Sequence, residues 1–218
     1  MAGTARAATR PRPETAQKRG EILQAAMEVF GSKGYANGTL HDVAQLVGIT
    51  HAGVLHHFGS KQQLLLEVLR HRDQTDVQHL EQQHIPDGAA LFLHLVRTAF
   101  ANAQRAGIVQ AYTVLSAESV TDDHPARAFF VERYERLRDE IAASFRECCA
   151  QEGVTDADTI ESASLSILAV MDGLQLQWLL TPGVFDLGEV SAFAIRSIVN
   201  GVLRPGPSLE AYATSAPQ

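Results

Sequence analysis

The stretch Leu40–His57, LHDVAQLVGITHAGVLHH, has the spacing of a helix-turn-helix and decides the interpretation of this chain. Ala44 is small at the point where two steeply crossed helices come closest. Gly48 lies in the turn, where a positive φ is needed and a Cβ would clash. Four apolar residues occupy the positions that pack the two helices together: Val43, Val47, Ile49 and Val54. Each match is weak alone, but their coincidence in one short window predicts a DNA-binding motif.

Polar residues mark where the helices around this motif begin. Thr39 with Asp42 three residues later is a capping box that opens the first helix of the motif, and Thr50 caps the second. Ser60, with a glutamine at the third helical position, caps a long helix that is predicted to reach the region of Gln83. An amphipathic helix is predicted from Glu14 to Ser32. Together with the two helices of the motif, it makes three short helices before the long connecting helix that Ser60 caps.

The predicted DNA contacts follow from these positions. The second helix of the motif presents a set of residues toward a DNA groove: Thr50, His51, Ala52, Gly53 and His56. Lys61 lies in the first turn of the long helix, where free amide groups and the helix dipole favour an anion. A phosphate contact is predicted for Lys61 and for the N-cap Thr39, although a solvated lysine and a purely structural cap are the simpler alternatives. The adjacent pair His56 and His57 point about 100° apart, so no metal site is predicted there.

Charge is distributed unevenly along the chain. Residues 1–72 contain 9 Lys/Arg and 5 Asp/Glu, whereas residues 73–218 contain 9 and 20. A basic first third on an acidic remainder is typical of a protein in which only the first third meets a polyanion. The arginines of the N-terminal arm, Arg6, Arg10 and Arg12, either keep that arm soluble or contact the minor groove or phosphates.

The rest of the chain has helical periodicity almost throughout, which predicts an all-α protein of about nine helices. No run approaches the roughly 18 apolar residues of a membrane span, and no apolar segment follows the basic N-terminus, so a cytoplasmic protein is predicted with no membrane partner. Phosphate-binding, serine-hydrolase, zinc-protease and dinucleotide-binding motifs are missing, so neither an enzyme nor a cofactor is predicted. The adjacent Cys148 and Cys149 suit neither a disulfide nor a zinc site and are interpreted as apolar helix residues.

The helices of the second half are predicted from their apolar stripes. In the helix opened by His124-Pro125, one face is apolar and the other carries charged residues that include Arg133 and Arg136. His94 and Thr98 fall on a polar helix face and are predicted to be exposed to solvent. The last two helices, predicted at 156–180 and 187–203, have apolar residues on more than one face, which indicates a homodimer.

The segment from about Arg19 to Leu66, including ILQAAMEVFGSKGYANGTLHDVAQLVGITHAGVLHHFGSKQQLL, resembles the tetracycline-repressor (TetR) family of bacterial transcriptional regulators. The resemblance implies a three-helix DNA-binding head, a long fourth helix, and a helical body for ligand binding and dimerisation. It also implies that His57 and Phe58 close the recognition helix onto the head, with His56 at a phosphate. Leu55 departs from the family pattern, which has a phosphate-contacting tyrosine there. The later MDGLQLQWLL, Met171–Leu180, is similar to the eighth helix of part of the family.

The predicted organisation is a disordered basic arm (1–13), a helix-turn-helix domain (14–59), a ligand-binding and dimerisation domain (60–204) and a disordered tail (205–218). The predicted function is a repressor that binds a palindromic double-stranded DNA operator and is released by a small apolar effector. The alternative is a helical DNA-binding regulator with no small-molecule effector, whose body serves dimerisation or binds protein partners. A cavity of about 300 Å³ or more with convergent polar groups would favour the effector, and a solid core would favour the alternative. Asp172-Gly173 is interpreted first as a close helix crossing. The predicted ligand-binding residues are Phe100, Tyr112, Phe130, Tyr134, Met171, Gln175 and Trp178.

Overall fold

The structure, a computed structural model, describes residues 13–78, 86–152 and 156–205, and within these ranges it contains nine α-helices and no strand. This confirms the all-α prediction. The predicted arm and tail lie outside the described residues except for Pro13 and Pro205. The helices are α1 (Pro13–Asn37), α2 (Leu40–Val47), α3 (His51–Phe58), α4 (Lys61–Gln78), α5 (Ala89–Ala103), α6 (Ala106–Glu118), α7 (Arg127–Glu152), α8 (Ala157–Leu180) and α9 (Leu187–Leu203).

The local signals of the helix-turn-helix are confirmed. Thr39 Oγ1 accepts the Asp42 N–H at 3.1 Å, and an Asp42 carboxylate oxygen accepts the Thr39 N–H at 2.9 Å, which completes the capping box of α2. Gly48 ends α2 with φ 70° in the left-handed region. Thr50 Oγ1 accepts the Gly53 N–H at 3.1 Å and thereby caps α3. These bonds occupy amide groups that a helix N-terminus leaves free, and so they fix where the two helices begin.

One helix end differs from the sequence prediction. The helix predicted from Glu14 to Ser32 continues to Asn37, although the Gly34 backbone (φ 73°, ψ 170°) interrupts its helical geometry. The helix continues because the Gly34 carbonyl accepts the Gly38 N–H at 3.0 Å. The described part of α4 ends at Gln78, so the predicted extension toward Gln83 lies outside the described residues.

A first hydrophobic core joins the helix-turn-helix to two later helices. Val43, Ala44 and Val54 are buried in it, with Val47 and Ile49 packed against its edge, as predicted. The same core also buries residues of α1 and α4, and of α6 and the region where α7 begins, among them Ile22, Phe30, Leu64, Leu65, Ala111, Leu115 and Phe130. The first three helices therefore do not have a core of their own.

A second hydrophobic core lies between α5, α7, α8 and α9. The rings of Phe92 and Phe145 pack at a centroid distance of 4.6 Å, and Ile167 and Ile195 are fully buried beside them. Cys148 and Cys149 are buried and free, and burial raises the pKa of both thiols. Protonated thiols in an apolar setting are unreactive, which agrees with their interpretation as apolar helix residues.

The outward faces of α8 and α9 remain apolar. Leu165, Leu176 and Leu180 on α8 are 44–72% exposed, and Phe193 on α9 is 72% exposed. Among the described helices, only α8 is long and apolar enough to cross a membrane, judged by length and composition alone. Its opposite face is buried in the second core through Ile160, as in a core helix of a folded domain.

Candidate functional site

Apart from His56, the predicted DNA-contact residues lie at the N-terminal ends of α2, α3 and α4. Thr39 directly precedes α2, and Thr50 directly precedes α3. Thr50, His51 and Ala52 are exposed. His56 is also exposed, one turn farther along α3. Helix N-termini present free amide groups and positive dipole ends, which suit contacts to phosphates. The assignment of these residues to DNA contacts stays a prediction.

The packing of the head does not require glycine at position 53. A Cβ built on Gly53 would lie 3.4 Å from Thr50 Oγ1 and 3.6 Å from Ile49 Cδ1, which are ordinary contact distances. Alanine would therefore fit inside the protein without displacing a neighbour, and the predicted groove contact of Gly53 stays a prediction.

Lys61, the predicted phosphate contact of α4, is half-buried at the edge of the head. Its Nζ donates to the Ala36 carbonyl at 3.3 Å and lies 4.4 Å from the centroid of the Tyr35 ring. Burial lowers the pKa of Lys61, while the nearby carboxylates of Glu118 and Asp42 act in the opposite direction. The ring and carbonyl position the ammonium group near the N-terminus of α2.

Lys33, which was not predicted from the sequence, places a second ammonium group beside the capping box of α2. Its Nζ is 2.8 Å from Asp42 Oδ1. The Lys33 ammonium and then the Thr39 hydroxyl hold the pKa of Asp42 well below its usual range. No sequence pattern singles out Lys33, because it lies in α1 and meets α2 only through the fold.

The C-terminal end of α3 is held by Arg19. Its Nη1 donates to the His57 carbonyl at 2.7 Å, its guanidinium lies 4.1 Å from the centroid of the Phe58 ring, and its Nη2 is 2.7 Å from a Glu67 carboxylate oxygen. His57 and Phe58 thus have the closing role that the resemblance implied. Leu55 is half-buried against the first core and offers no polar group in place of the family's tyrosine.

Helix α1 packs directly on α6, and this contact joins the head to the body. A Cβ on Gly31 would lie only 2.9 Å from Ala111 Cβ, so glycine is what allows the two helices to approach this closely. Gln110 Nε2 donates to the Gly31 carbonyl at 3.2 Å, and Glu118 accepts the Tyr35 N–H at 2.7 Å. We call these contacts the α1–α6 seam.

A cavity of about 810 Å³ lies in the body between α4, α5, α6, α7 and α8. One part of its wall is apolar, with Leu95, Leu137, Leu168 and Met171. The remainder is polar and charged. The cavity borders both α4, whose first residue is Lys61, and α6, which forms the seam.

Of the seven predicted ligand-binding residues, the cavity lining contains Tyr112, Tyr134, Met171 and Gln175. The other three lie outside this lining, and the ligand-binding role of all seven stays a prediction. Phe130 lies behind Tyr112, at a ring centroid distance of 5.5 Å. Phe100 turns toward α9 and fills the space above Gly188. Trp178 lies about two helical turns beyond Met171, past the last α8 residue of the lining, which is Gln175.

Three arginines converge on one carboxylate at the edge of the cavity, which we call the Asp73 cluster. Asp73 oxygens lie 3.3 Å from Arg72 Nη1, 3.5 Å from Arg133 Nη1 and 3.4 Å from Arg136 Nη2. The Tyr112 hydroxyl donates to Asp73 at 2.7 Å, and burial is the largest of the effects that raise the pKa of this phenol. The cluster therefore ties α4 to α6 and α7 with charge-assisted contacts.

A second carboxylate, Asp172 on α8, faces the cavity with a neutral partner. The Tyr134 hydroxyl donates to Asp172 Oδ2 at 2.6 Å. Asp172 is exposed at the cavity surface, and partial desolvation by the surrounding protein raises the pKa of its carboxyl against the opposing effects of Tyr134, Arg133 and Arg72. Burial likewise raises the pKa of Tyr134.

The cavity corrects several expectations about polar residues. His94, expected in solvent, lines the cavity together with Thr98 from the same helix face, as do Arg133 and Arg136 from the charged face of α7. A Cβ on Gly173 would meet nothing within 4 Å, so Asp172-Gly173 marks no close crossing with another described helix of this chain. Charged side chains form part of the cavity wall, and the expectation of a small apolar effector stays a prediction. Within the described ranges, no group of three or more metal-ligating side chains forms a candidate metal site.

Comparison with known proteins agrees with this geometry. Residues 22–68 match the model of bacterial regulatory proteins of the tetR family, and residues 88–204 match the C-terminal model of BetI-type transcriptional repressors. The regulator TtgR of Pseudomonas putida is 24% identical over 92% of this chain and 98% of its own length. BetI of Rhizobium meliloti is 27% identical over 86% and 90%. A transcriptional regulator from Saccharomonospora viridis, solved in complex with choline, is 25% identical with a TM-score of 0.66, over 85% of this chain and 96% of its own.

The chain belongs to the TetR family of bacterial transcriptional regulators, as its sequence resemblance predicted. The two matched segments correspond to the helix-turn-helix with the start of α4, and to the helices from α5 to α9. The family consists of transcriptional regulators, not enzymes.

Proposed function

We propose that the protein is a repressor that binds a palindromic operator as a homodimer and is released when a small molecule enters the body cavity. The observation that carries this proposal is the 810 Å³ cavity, bordered by the helices that pack on the head. It exceeds the roughly 300 Å³ at which ligand pockets begin, and its walls present convergent polar groups. A body without a cavity would instead have favoured the alternative of a regulator with no small-molecule effector. The choline complex of the Saccharomonospora viridis regulator supports a small-molecule ligand for this chain.

The proposed release mechanism uses two connections between cavity and head. Helix α4 begins with Lys61 at the head and carries Asp73 at the cavity, while α6 carries Tyr112 at the cavity and Ala111 at the α1–α6 seam. A ligand that shifts either helix changes the spacing of the two recognition helices in a dimer. A rigid duplex fixes that spacing, so the displaced dimer cannot occupy both half-sites.

The test of this function is a reciprocal titration. An operator is first selected from random DNA duplexes, and an effector is identified by mass spectrometry of compounds that co-purify with the protein. Calorimetry with and without operator should then give effector affinities that differ by about five- to 150-fold, the usual range of allosteric coupling. Equal affinities in the two titrations would mean that the cavity does not regulate DNA binding.

The apolar face of α8 and α9 supports the homodimer, and Phe193→Asp should disrupt it. An aspartate at this 72% exposed position would be buried without a partner in the proposed interface, so the variant should sediment as a monomer at micromolar concentration. Val120→Asp is the control, because Val120 is 74% exposed in the loop between α6 and α7. A dimeric Phe193→Asp variant, or a monomeric control, would place the interface elsewhere.

Two head variants should affect DNA binding in different ways. Lys61→Ala should weaken binding to all sequences by a similar factor and reduce the salt dependence by about one phosphate contact. His51→Ala should instead change base preference, at a cost of about 1–3 kcal/mol on the preferred site only. Fluorescence anisotropy with operator and scrambled duplexes at several salt concentrations separates the two effects. A Lys61→Ala variant with altered sequence preference and unchanged affinity would contradict the assignment.

A further inference from the structure

Asp172 differs from the other carboxylates of the cavity in the charge it faces. Asp73 lies within 3.5 Å of three guanidinium groups, and a Glu140 oxygen lies 3.8 Å from Arg136 Nε. Among the described residues, no cationic nitrogen lies within 4 Å of Asp172, and its hydrogen-bond donor is the neutral hydroxyl of Tyr134. Asp172 is therefore a cavity carboxylate without a directly paired cation among the described residues.

The Asp172 carboxylate presents its charge at the cavity surface. Its side chain is exposed there, while partial desolvation by the surrounding protein raises its pKa. A positive charge brought to this carboxylate by a ligand would be attracted to it at contact distance. The guanidinium groups of Arg72 and Arg133 do not contact Asp172. Both pair with Asp73, and they lie 4.0 and 5.2 Å from the centroid of the Tyr112 ring.

The surroundings of Asp172 suit a cation with an apolar portion. Tyr134, whose hydroxyl donates to Asp172, also lines the cavity. Gln175 lies almost one turn farther along α8 on the same cavity wall and offers an amide oxygen. Leu168 and Met171 from α8 and Leu137 from α7 provide adjacent apolar surface.

We propose that the cavity takes an organic cation, a protonated amine on an apolar body, with its ammonium group at Asp172 and its apolar part against Leu137, Leu168 and Met171. This assignment rests on the proposed effector role of the cavity and names the chemical class of the effector. An anionic ligand would face repulsion at Asp172, and the arginines it would need are already bound to Asp73.

Three probes with one apolar body test the charge preference: 4-phenylbutylamine, 4-phenylbutanol and 4-phenylbutyrate. Calorimetry on the DNA-free full-length protein should show the amine binding about tenfold or more tightly than the alcohol, a difference of about 1.4 kcal/mol. The butyrate should bind more weakly than the alcohol. This ranking needs no variant, so it tests the proposal even if a substitution impairs folding.

The variant Asp172→Asn identifies the group responsible. Asparagine keeps the size of aspartate and can still accept a hydrogen bond from Tyr134, so the amine and the alcohol should bind this variant with similar affinity. Asp139→Asn removes one negative charge from an exposed position on α7 and should keep the wild-type preference. An amine preference that persists in Asp172→Asn, tighter binding of the butyrate, or no amine binding at millimolar concentration would overturn the proposal.

Release of operator DNA is measured separately, which keeps the two proposals distinguishable. An amine that binds through Asp172 but leaves operator affinity unchanged would contradict the proposed regulatory function and support the cation site. Release by the alcohol or the butyrate in preference to the amine would support regulation by the cavity and contradict the cation assignment.

Discussion

Replacing Asp73 with asparagine is expected to lower the free energy of unfolding by about 3 kcal/mol. The carboxylate lies between guanidinium groups from α4 and α7, of which Arg72 is 7% exposed and Arg133 is 18% exposed. Asparagine occupies the same volume but leaves this cluster of positive charge without its neutralising anion. Because the cluster joins α4 to α7, the loss should also loosen the wall of the cavity.

Urea denaturation at a fixed protein concentration measures this effect, since the stability of a proposed dimer depends on concentration. Asp122→Asn is the matched control. Its side chain is 96% exposed and lies 3.8 Å from Arg127, a surface pair worth about 0–1 kcal/mol. If Asp73→Asn changed stability no more than this control, the Asp73 cluster would have no structural role.

Gly31→Ala is expected to destabilise the protein by about 1–3 kcal/mol, although alanine is the better helix former. The new methyl would lie 2.9 Å from Ala111 Cβ and 3.0 Å from Ala111 Cα, so α1 and α6 would have to move apart. A backbone atom of the neighbouring helix cannot rotate away as a flexible side chain can. The separation should disturb the α1–α6 seam and therefore weaken operator binding as well.

Gly20→Ala provides the control within the same helix. A Cβ on Gly20 would meet nothing within 4 Å, so alanine should raise stability by about 0.5–1 kcal/mol through helix propensity. Thermal denaturation of the two variants should therefore show shifts of opposite sign. Shifts of the same sign would show that the contact with Ala111 does not limit the approach of α1 to α6.

The parts of the fold that sequence predicted correctly depend on local chemistry. The capping box of Thr39 and Asp42, the left-handed Gly48 and the Thr50 cap each involve residues at most three positions apart. Such bonds form from the same backbone geometry in any protein, so their residue pattern is enough to place them. The order of the helices followed from their periodicity.

The charged side of the cavity could not be predicted in the same way. Arg133 and Arg136 meet Asp73 across 60 and 63 positions of sequence. On a single helix, a charged face turned toward solvent and one turned toward a cavity have the same periodicity. Two aromatic residues differ from the prediction in the opposite direction. Phe100 and Phe130 were expected at a cavity but pack against other parts of the protein.

The first core has a consequence for building hybrid regulators by exchanging DNA-binding segments between relatives. A cut after residue 59 would follow the predicted domain boundary, yet it would separate Phe30 and Val43 from Ala111 and Leu115, which share their core. A transplanted head would then meet a foreign α6 surface, with Gly31 opposite whichever side chain stands there. Successful hybrids should therefore require a matched α6 surface, with a small residue at position 111.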